Sequence, residues 1–369
     1  MDEVDEWFFD SIQRYNKLQM FTLNENVNHI DFSSNPNNIC VSNVNIMTKK
    51  CQILEYALPS KFLDIDDSQC SSHHNLKIVC GTYVDQLILE LKVIVSSSQV
   101  VTSEKNQSCI NVYSLPRDDT DKITKSESIP YETEEPHISC HSQSENLCLS
   151  HSTNHPISLV DLNTKDVIQK INVDWHSTVD SHVRTTFLNN NTVCACIEHS
   201  GLVHLYDLRC PSEVLSSSSK DKSKPRGVWT MSLLENSTTL NLLSSKAQVQ
   251  MLDVRNLSKP TFHTQLHIKN KLSGHHLPQI ETCPHDPRQF SVSGFNENVH
   301  IYSRDEEALC DEVFTHDAHP YQEQCDDDTR VLCHRWMPAP YERMLMSSAD
   351  NFSFTCVQFN SKLSSSVLL

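Results

Sequence analysis

Glycine is nearly missing. The 369 residues contain only 5, where average usage of about 7% would supply roughly 26. Five scattered glycines cannot build a phosphate-cradling loop, so no Gly-rich nucleotide fingerprint exists. The Gly-x-Ser-x-Gly elbow of esterases and the His-Glu-x-x-His run of metalloproteases are also absent. No stretch of 18 apolar residues occurs, which removes a membrane-spanning helix. Positive charge is short as well: 30 Lys plus Arg stand against 47 Asp plus Glu, a net charge of −17. A surface of that sign repels phosphate backbones and argues against direct nucleic-acid binding. The opening Met1-Asp2-Glu3-Val4-Asp5-Glu6 is acidic where a signal or transit peptide is basic, so a cytosolic or nuclear location is expected.

Cysteine is plentiful, at 15. An odd count without an export signal reads as reduced thiols. Cys40, Cys80, Cys148, Cys194 and Cys196 sit in apolar runs and act there as small hydrophobes. With glycine so scarce, Asn is expected to take many turn positions that need the left-handed backbone.

One pattern recurs along the chain. A strand-like run leads into a polar turn, and a second alternating strand closes on an apolar residue followed by Asp or a substitute. The clearest copies are Val193 to Arg209, Leu242 to Arg255 and Phe290 to Ser303, with weaker ones at Ile39 to Glu55, Val100 to Ser114, Leu147 to Asp161 and Met344 to Gln358. The closing positions Glu55, Ser114, Asp161, Asp207, Asp253, Ser303 and Gln358 lie about 46 to 59 residues apart, against about 40–45 for a four-stranded blade of the WD class. Seven copies plus insertions account for nearly the whole chain. The expected fold is therefore all-β, a seven-bladed WD-repeat β-propeller with a short N-terminal helix. Trp229 and Trp336 are expected to start blades and pack between adjacent sheets.

Four polar stretches read as solvated loops: Asp64 to Asn75, Arg117 to Pro136, Ser216 to Arg226 and the strongly acidic Asp305 to Asp328. Asp2 to Leu18 instead places Val4, Phe8, Ile12 and Tyr15 at helical spacing, with Trp7 and Leu18 beside that face. Either this helix docks on the propeller or it is offered to a partner groove. Met20 to Leu23 then suits the outer strand of the last blade. The division expected is an amphipathic helix over residues 1–18, a propeller over 19–362 and a tail over 363–369.

Reactive constellations are weak. Cys194, Cys196 and His199 share a short run, but a blade core strand makes them packing residues. His316, His319, Cys325, Cys333 and His334 form a second cluster that lacks a Cys-x-x-Cys clamp. His319, Ser348 and Asp350 suit a structural polar network in the last blade. No catalytic, cofactor or metal residue is expected, and an enzyme working in a central funnel is the outlying possibility.

The repeats resemble WD-repeat propellers generally, with Tyr206-Asp207 standing where Trp-Asp would be. A nearer resemblance is to the WD repeat-containing protein 73 family. It is carried by the start from Met1-Asp2 to Trp7 with Tyr15 and Phe21-Thr-Leu23, by Ser293 to Tyr302, by Phe314 to His319, and by His334-Arg-Trp336-Met-Pro338 with Leu345 to Asn351. The chain departs from the WD pattern at Ala318-His319, for Gly-His, and at Val357-Gln358, for the closing Trp-Asp. The resemblance implies a non-enzymatic cytoplasmic scaffold that associates with a HEAT-repeat protein and with endonuclease subunits of the Integrator complex. It also implies a link to microtubules and spindle poles, so an adaptor there is an alternative. Another alternative is a substrate receptor of a cullin-RING ubiquitin ligase, because Asp207-Leu-Arg209 and Asp253-Val-Arg255 resemble the Trp-Asp-x-Arg box of such receptors. Candidate partner-binding residues are Trp7, Phe8, Ile12, Tyr15, Asp207, Arg209, Arg255, Asp326, Asp327 and Asp328. The chain is expected as a monomer within a hetero-complex, bound to neither nucleic acid nor membrane.

Overall fold

The computed structural model describes residues 3–45, 47–48, 50–63, 75–117, 120–141, 146–152, 155–173, 182–210, 214–217, 227–233, 238–269, 277–305, 310–321 and 329–360. Helix α1 (Glu3–Arg14) runs directly into β1 (Tyr15–Thr22). Six four-stranded sheets follow, each built from consecutive strands. The first holds β2 (Asn26–Phe32), β3 (Asn38–Val44), β4 (Cys51–Ala57) and β5 (Lys77–Val84). The second holds β6 (Ile88–Ile94), β7 (Gln99–Glu104), β8 (Cys109–Ser114) and β9 (Thr124–Pro130). The third holds β10 (His137–Cys140), β11 (Leu147–His151), β12 (Ile157–Asp161) and β13 (Asp166–Ile171). The fourth holds β14 (Val183–Asn189), β15 (Thr192–Ile197), β16 (Leu202–Asp207) and β17 (Val214–Ser217). The fifth holds β18 (Trp229–Leu233), β19 (Thr239–Ser244), β20 (Gln248–Asp253) and β21 (Asn256–Gln265). The sixth holds β22 (Gln279–Thr282), β23 (Gln289–Ser293), β24 (Val299–Arg304) and β25 (Cys310–His316).

The seventh sheet joins both ends of the chain. It contains β26 (Val331–Trp336), β27 (Met344–Ala349) and β28 (Ser353–Phe359), and β1 pairs with β28 as its outer strand. This is the seven-bladed β-propeller expected, with its helix at the N-terminus. The strand begins at Tyr15, however, so the helix stops short of Leu18. Tyr15 faces Phe359 in the β1–β28 ladder, and that pairing takes residues 15–18 out of the helix.

The middle strands of each sheet are buried on both faces. In the fourth sheet the register runs from Thr192↔Asp207 to Ile197↔Leu202, and every β15 side chain after Thr192 is buried. Outer strands behave differently. β9 and β13 are largely exposed, β25 only at Asp311 and Glu312, and each joins its sheet through a register shift. Polar edges with bulges resist pairing with foreign strands. Three segments expected as loops are partly strand: β9 lies within Arg117 to Pro136, β25 within Asp305 to Asp328, and β17 takes in Ser216 and Ser217 of Ser216 to Arg226. Trp229 does open a first strand, but Trp336 closes one.

The described chain divides into two compact units. Met1–Ile30, Leu58–Lys77 and His267–Leu369 form one, with α1 and the sixth and seventh sheets. Asp31–Ala57 and Ile78–Leu266 form the other, with the second to fifth sheets.

The left-handed turn positions correct one expectation. Among the described residues Ser98, Asn106, Glu135, Lys165, Ala247, Arg343 and Phe352 have φ between 54° and 67°. Only one of them is Asn. Asn works at turns through its side chain instead: the Oδ1 atoms of Asn35, Asn45, Asn189 and Asn296 each accept a backbone N–H two residues on.

Candidate functional site

The first site is the seat of α1. Trp7, Ser11 and Tyr15 are buried, a stripe of residues four apart that continues onto the strand. Asp317, just after β25, gathers this stripe. Its Oδ1 accepts the indole N–H of Trp7 at 3.1 Å, and its two oxygens take Arg14 Nη2 at 3.0 Å each. The Tyr15 hydroxyl lies 3.3 Å from Oδ1 and 2.9 Å from His316 Nδ1. Arg14 Nε also pairs with Asp10 at 2.6 Å.

From Tyr15 the bonds continue inward. His316 Nε2 meets Thr355 Oγ1 at 2.9 Å, and Thr355 meets Ser347 Oγ at 2.8 Å. Ser347 meets His319 Nε2 at 2.9 Å, and His319 Nδ1 meets Ser353 Oγ at 2.5 Å. Hydroxyls can donate or accept, so every link is satisfied when each imidazole is neutral, with one N–H and one lone pair. Burial holds both rings neutral: His316 is lowered to about 3 by desolvation, then by Arg14 and His334, and His319 is lowered by desolvation, then by His316. The network uses Ser347 and Ser353 rather than the expected Ser348 and Asp350. Neighbouring residues of β27 face opposite ways, and Asp350 instead accepts the Arg330 backbone N–H at 2.7 Å.

The second histidine cluster is thereby explained. His334 bonds Ser291 and Ser293 through its two ring nitrogens, at 2.8 and 2.7 Å. No ring nitrogen of His316, His319 or His334 is left for a metal, and Cys325 lies outside the described residues. Cys194 and Cys196 are fully buried among Val203, Leu205, Leu240 and Leu242. No group of three or more His, Cys, Asp or Glu among the described residues could hold a metal ion.

The helical face read at Val4, Phe8, Ile12 and Tyr15 is divided: Tyr15 is buried, whereas Phe8 and Ile12 are exposed, as is the adjoining Phe9. Phe8, Phe9 and Ile12 are 56%, 60% and 62% exposed. Hydrophobicity alone cannot find the seated stripe, because it contains Ser11, whose Oγ–H donates back to the Phe8 carbonyl at 2.7 Å.

Asp207 and Arg209 form a local bracket. Arg209 Nε and Nη2 reach the two Asp207 oxygens at 2.9 and 2.6 Å. Asp253 and Arg255 repeat it at 2.9 and 2.6 Å, and Asp286 with Arg288 makes a third, looser copy. Each arginine is exposed and folded onto the carboxylate two residues before it. Asp326, Asp327 and Asp328 lie outside the described residues.

A charged network in the second unit escaped the sequence reading. Glu90 Oε1 meets His137 Nδ1 and Arg184 Nη1, both at 2.8 Å, and Arg184 Nε meets Glu198 at 2.6 Å. Glu90 Oε2 accepts the Ile138 N–H at 2.6 Å. Burial pushes the Glu90 carboxyl up, but His137, Arg184 and that N–H outweigh it and hold it far below the usual carboxylate range. These bonds link β6, β10 and β14, the first strands of three consecutive sheets. The one sequence signal is a lone charge in an apolar run, as in Leu87-Ile-Leu-Glu90-Leu91.

Asp317→Ala removes the shared acceptor of Trp7, Arg14 and Tyr15. It should cost about 2–3 kcal/mol in a denaturant melt and open residues 3–14 to proteolysis. A variant that melts and resists protease like the wild type would refute this anchor.

No family model matches the chain. Three curated proteins do, each named "Integrator complex assembly factor WDR73". The Danio rerio protein is 24% identical over 379 residues, covering 95% of this chain and 95% of its own length. The Xenopus laevis protein is 24% identical over 357 residues, covering 93% and 95%. The Mus musculus protein is 23% identical over 368 residues, covering 95% and 96%. This chain of seven four-stranded sheets is, as its own residues suggested, similar almost end to end to proteins of the WD repeat-containing protein 73 family.

Proposed function

We propose that this chain is a non-enzymatic scaffold that helps to assemble or stabilise Integrator RNA-endonuclease subunits in the cytoplasm, beside a HEAT-repeat partner. The observation that carries the reading is coverage: relatives named as Integrator assembly factors align with 93–95% of this chain. The match therefore spans nearly the full length of both sequences rather than one shared module. Physical features agree with it. Buried imidazole–hydroxyl chains stiffen the seventh sheet, while loops and α1 remain outside as recognition surfaces. A net charge of −17 favours basic partner surfaces and speeds encounter with them.

The test is purification of the tagged full-length chain from a cytosolic fraction of its own species, followed by quantitative mass spectrometry. Integrator endonuclease subunits should be enriched about tenfold or more over an unrelated propeller bait, a margin of roughly 1.4 kcal/mol in binding. Absence of every Integrator subunit would overturn the proposal. Enrichment of a cullin-ligase adaptor or of tubulin in their place would put the ligase-receptor or spindle-adaptor reading in its stead.

A further inference from the structure

We infer that the outward face of α1 docks into an apolar groove, rimmed by lysine or arginine, on a protein partner. The inference rests on the scaffold reading above and specifies which surface of the chain meets the assembled subunit.

Two observations combine. The helix is fixed from behind: Trp7, Arg14 and Tyr15 all reach one carboxylate, that of Asp317. Its exposed side is therefore presented in one orientation. That side carries an apolar cluster where a helix lying on a solvated surface is usually polar. Phe8 and Ile12 are one turn apart, Phe9 adjoins them, and the two phenylalanine rings sit edge-to-face with centroids 6.3 Å apart. Single exposed apolar residues are ordinary, but three together on one rigid helix match the anchor spacing of helix-in-groove recognition.

Charge selects the occupant. Asp5, Glu6 and Asp10 are exposed on the same helix. Asp5 interrupts the apolar stripe near its N-terminal end, Glu6 borders it, and Asp10 lies beyond Glu6, paired with Arg14. A second copy of this chain would bring these carboxylates against their like. An anionic lipid surface would be repelled for the same reason. A groove with a basic rim satisfies both the rings and the carboxylates.

The experiment uses the full-length chain in the purification described above. Phe8→Glu with Ile12→Glu keeps helix-forming residues and removes the apolar anchors, while Asp5→Lys with Glu6→Lys reverses the border. The apolar double variant should lower recovery of Integrator subunits about tenfold or more, and the charge reversal should lower it several-fold. Both should melt like the wild type, since none of the four side chains is buried. Wild-type recovery from both variants would overturn the docking face and leave the scaffold reading standing. Loss with the apolar variant alone would overturn the basic rim. Failure of the wild type to recover any Integrator subunit would remove the scaffold reading and this inference with it. Sedimentation of the purified chain as a dimer that the apolar variant dissolves would assign the face to a second copy and overturn the proposal.

Discussion

Acidification from pH 7.5 to 5.0 should lower the melting temperature by something on the order of 10 °C. Four buried histidines cause this. His316 and His334 are lowered to about 3 and about 4, each first by desolvation. His151 and His319 are lowered as well, again first by desolvation. An unfolded histidine titrates near 6.5. Between that value and the folded values the unfolded chain binds more protons than the native one, so stability rises with pH across this window. The contribution of the neutral rings is whole above about pH 6.5 and is lost as pH falls towards the folded values. Each ring supplies a slope of at most about 1.4 kcal/mol per pH unit. Glu90 acts in the same direction lower down, because its depressed carboxyl contributes stability that is lost as pH falls below the ordinary carboxylate range. Calorimetric scans at steps across this range check the expectation. A melting temperature flat between pH 7.5 and 5.0 would mean that these rings take up protons in the fold as readily as in the unfolded chain. Replacing His334 by Gln should remove about a quarter of the slope, since one of four titrating rings is gone.

That dependence also marks where sequence reading succeeds and where it stops. The seven closing positions from Glu55 to Gln358 all fall in the third strands of their sheets, β4, β8, β12, β16, β20, β24 and β28. Such strands are covered on both sides, so their apolar run and closing residue are local signals. Outer strands give no comparable signal. β9, Thr-Lys-Ser-Glu-Ser-Ile-Pro, buries only Ile129 and is as polar as a loop. Side-chain partners across sheets are legible least of all. Glu90 and Arg184 stand 94 residues apart in sequence and meet only because β6 and β14 are first strands of nearby sheets. Likewise Ser347 could be told from Ser348 only once the β27 register was fixed by Ser347↔Thr355. The helix was visible, but its seated face was not, because Asp317 selects Trp7 and Tyr15 by their polar tips rather than by hydrophobicity.

Trp229→Ala should destabilise the protein by about 3–5 kcal/mol, the range for truncating a fully buried large aromatic residue. Trp229 opens β18, has no solvent exposure, and packs with Cys194, Val203, Leu205, Leu240 and Leu252. Its backbone N–H donates to the Glu198 carbonyl at 2.7 Å, which fixes the strand against the turn that ends at Gly201. The indole lies directly on that glycine: a Cβ built there would come within 2.8 Å of Trp229 Cδ2. Gly201 also has φ +63°, in the left-handed region. Here glycine is required twice, by the ring and by the backbone. The two requirements separate in a double-mutant cycle. Gly201→Ala in the wild type meets both the clash and the backbone penalty. In the Trp229→Ala background the clash is gone, and the added loss should fall to the left-handed cost alone, roughly 1 kcal/mol. Chemical denaturation of the four proteins measures the coupling. Strict additivity would show that the ring does not rest on Gly201. A single-variant loss under about 1 kcal/mol for Trp229→Ala would show that the space between the fourth and fifth sheets is not filled as described.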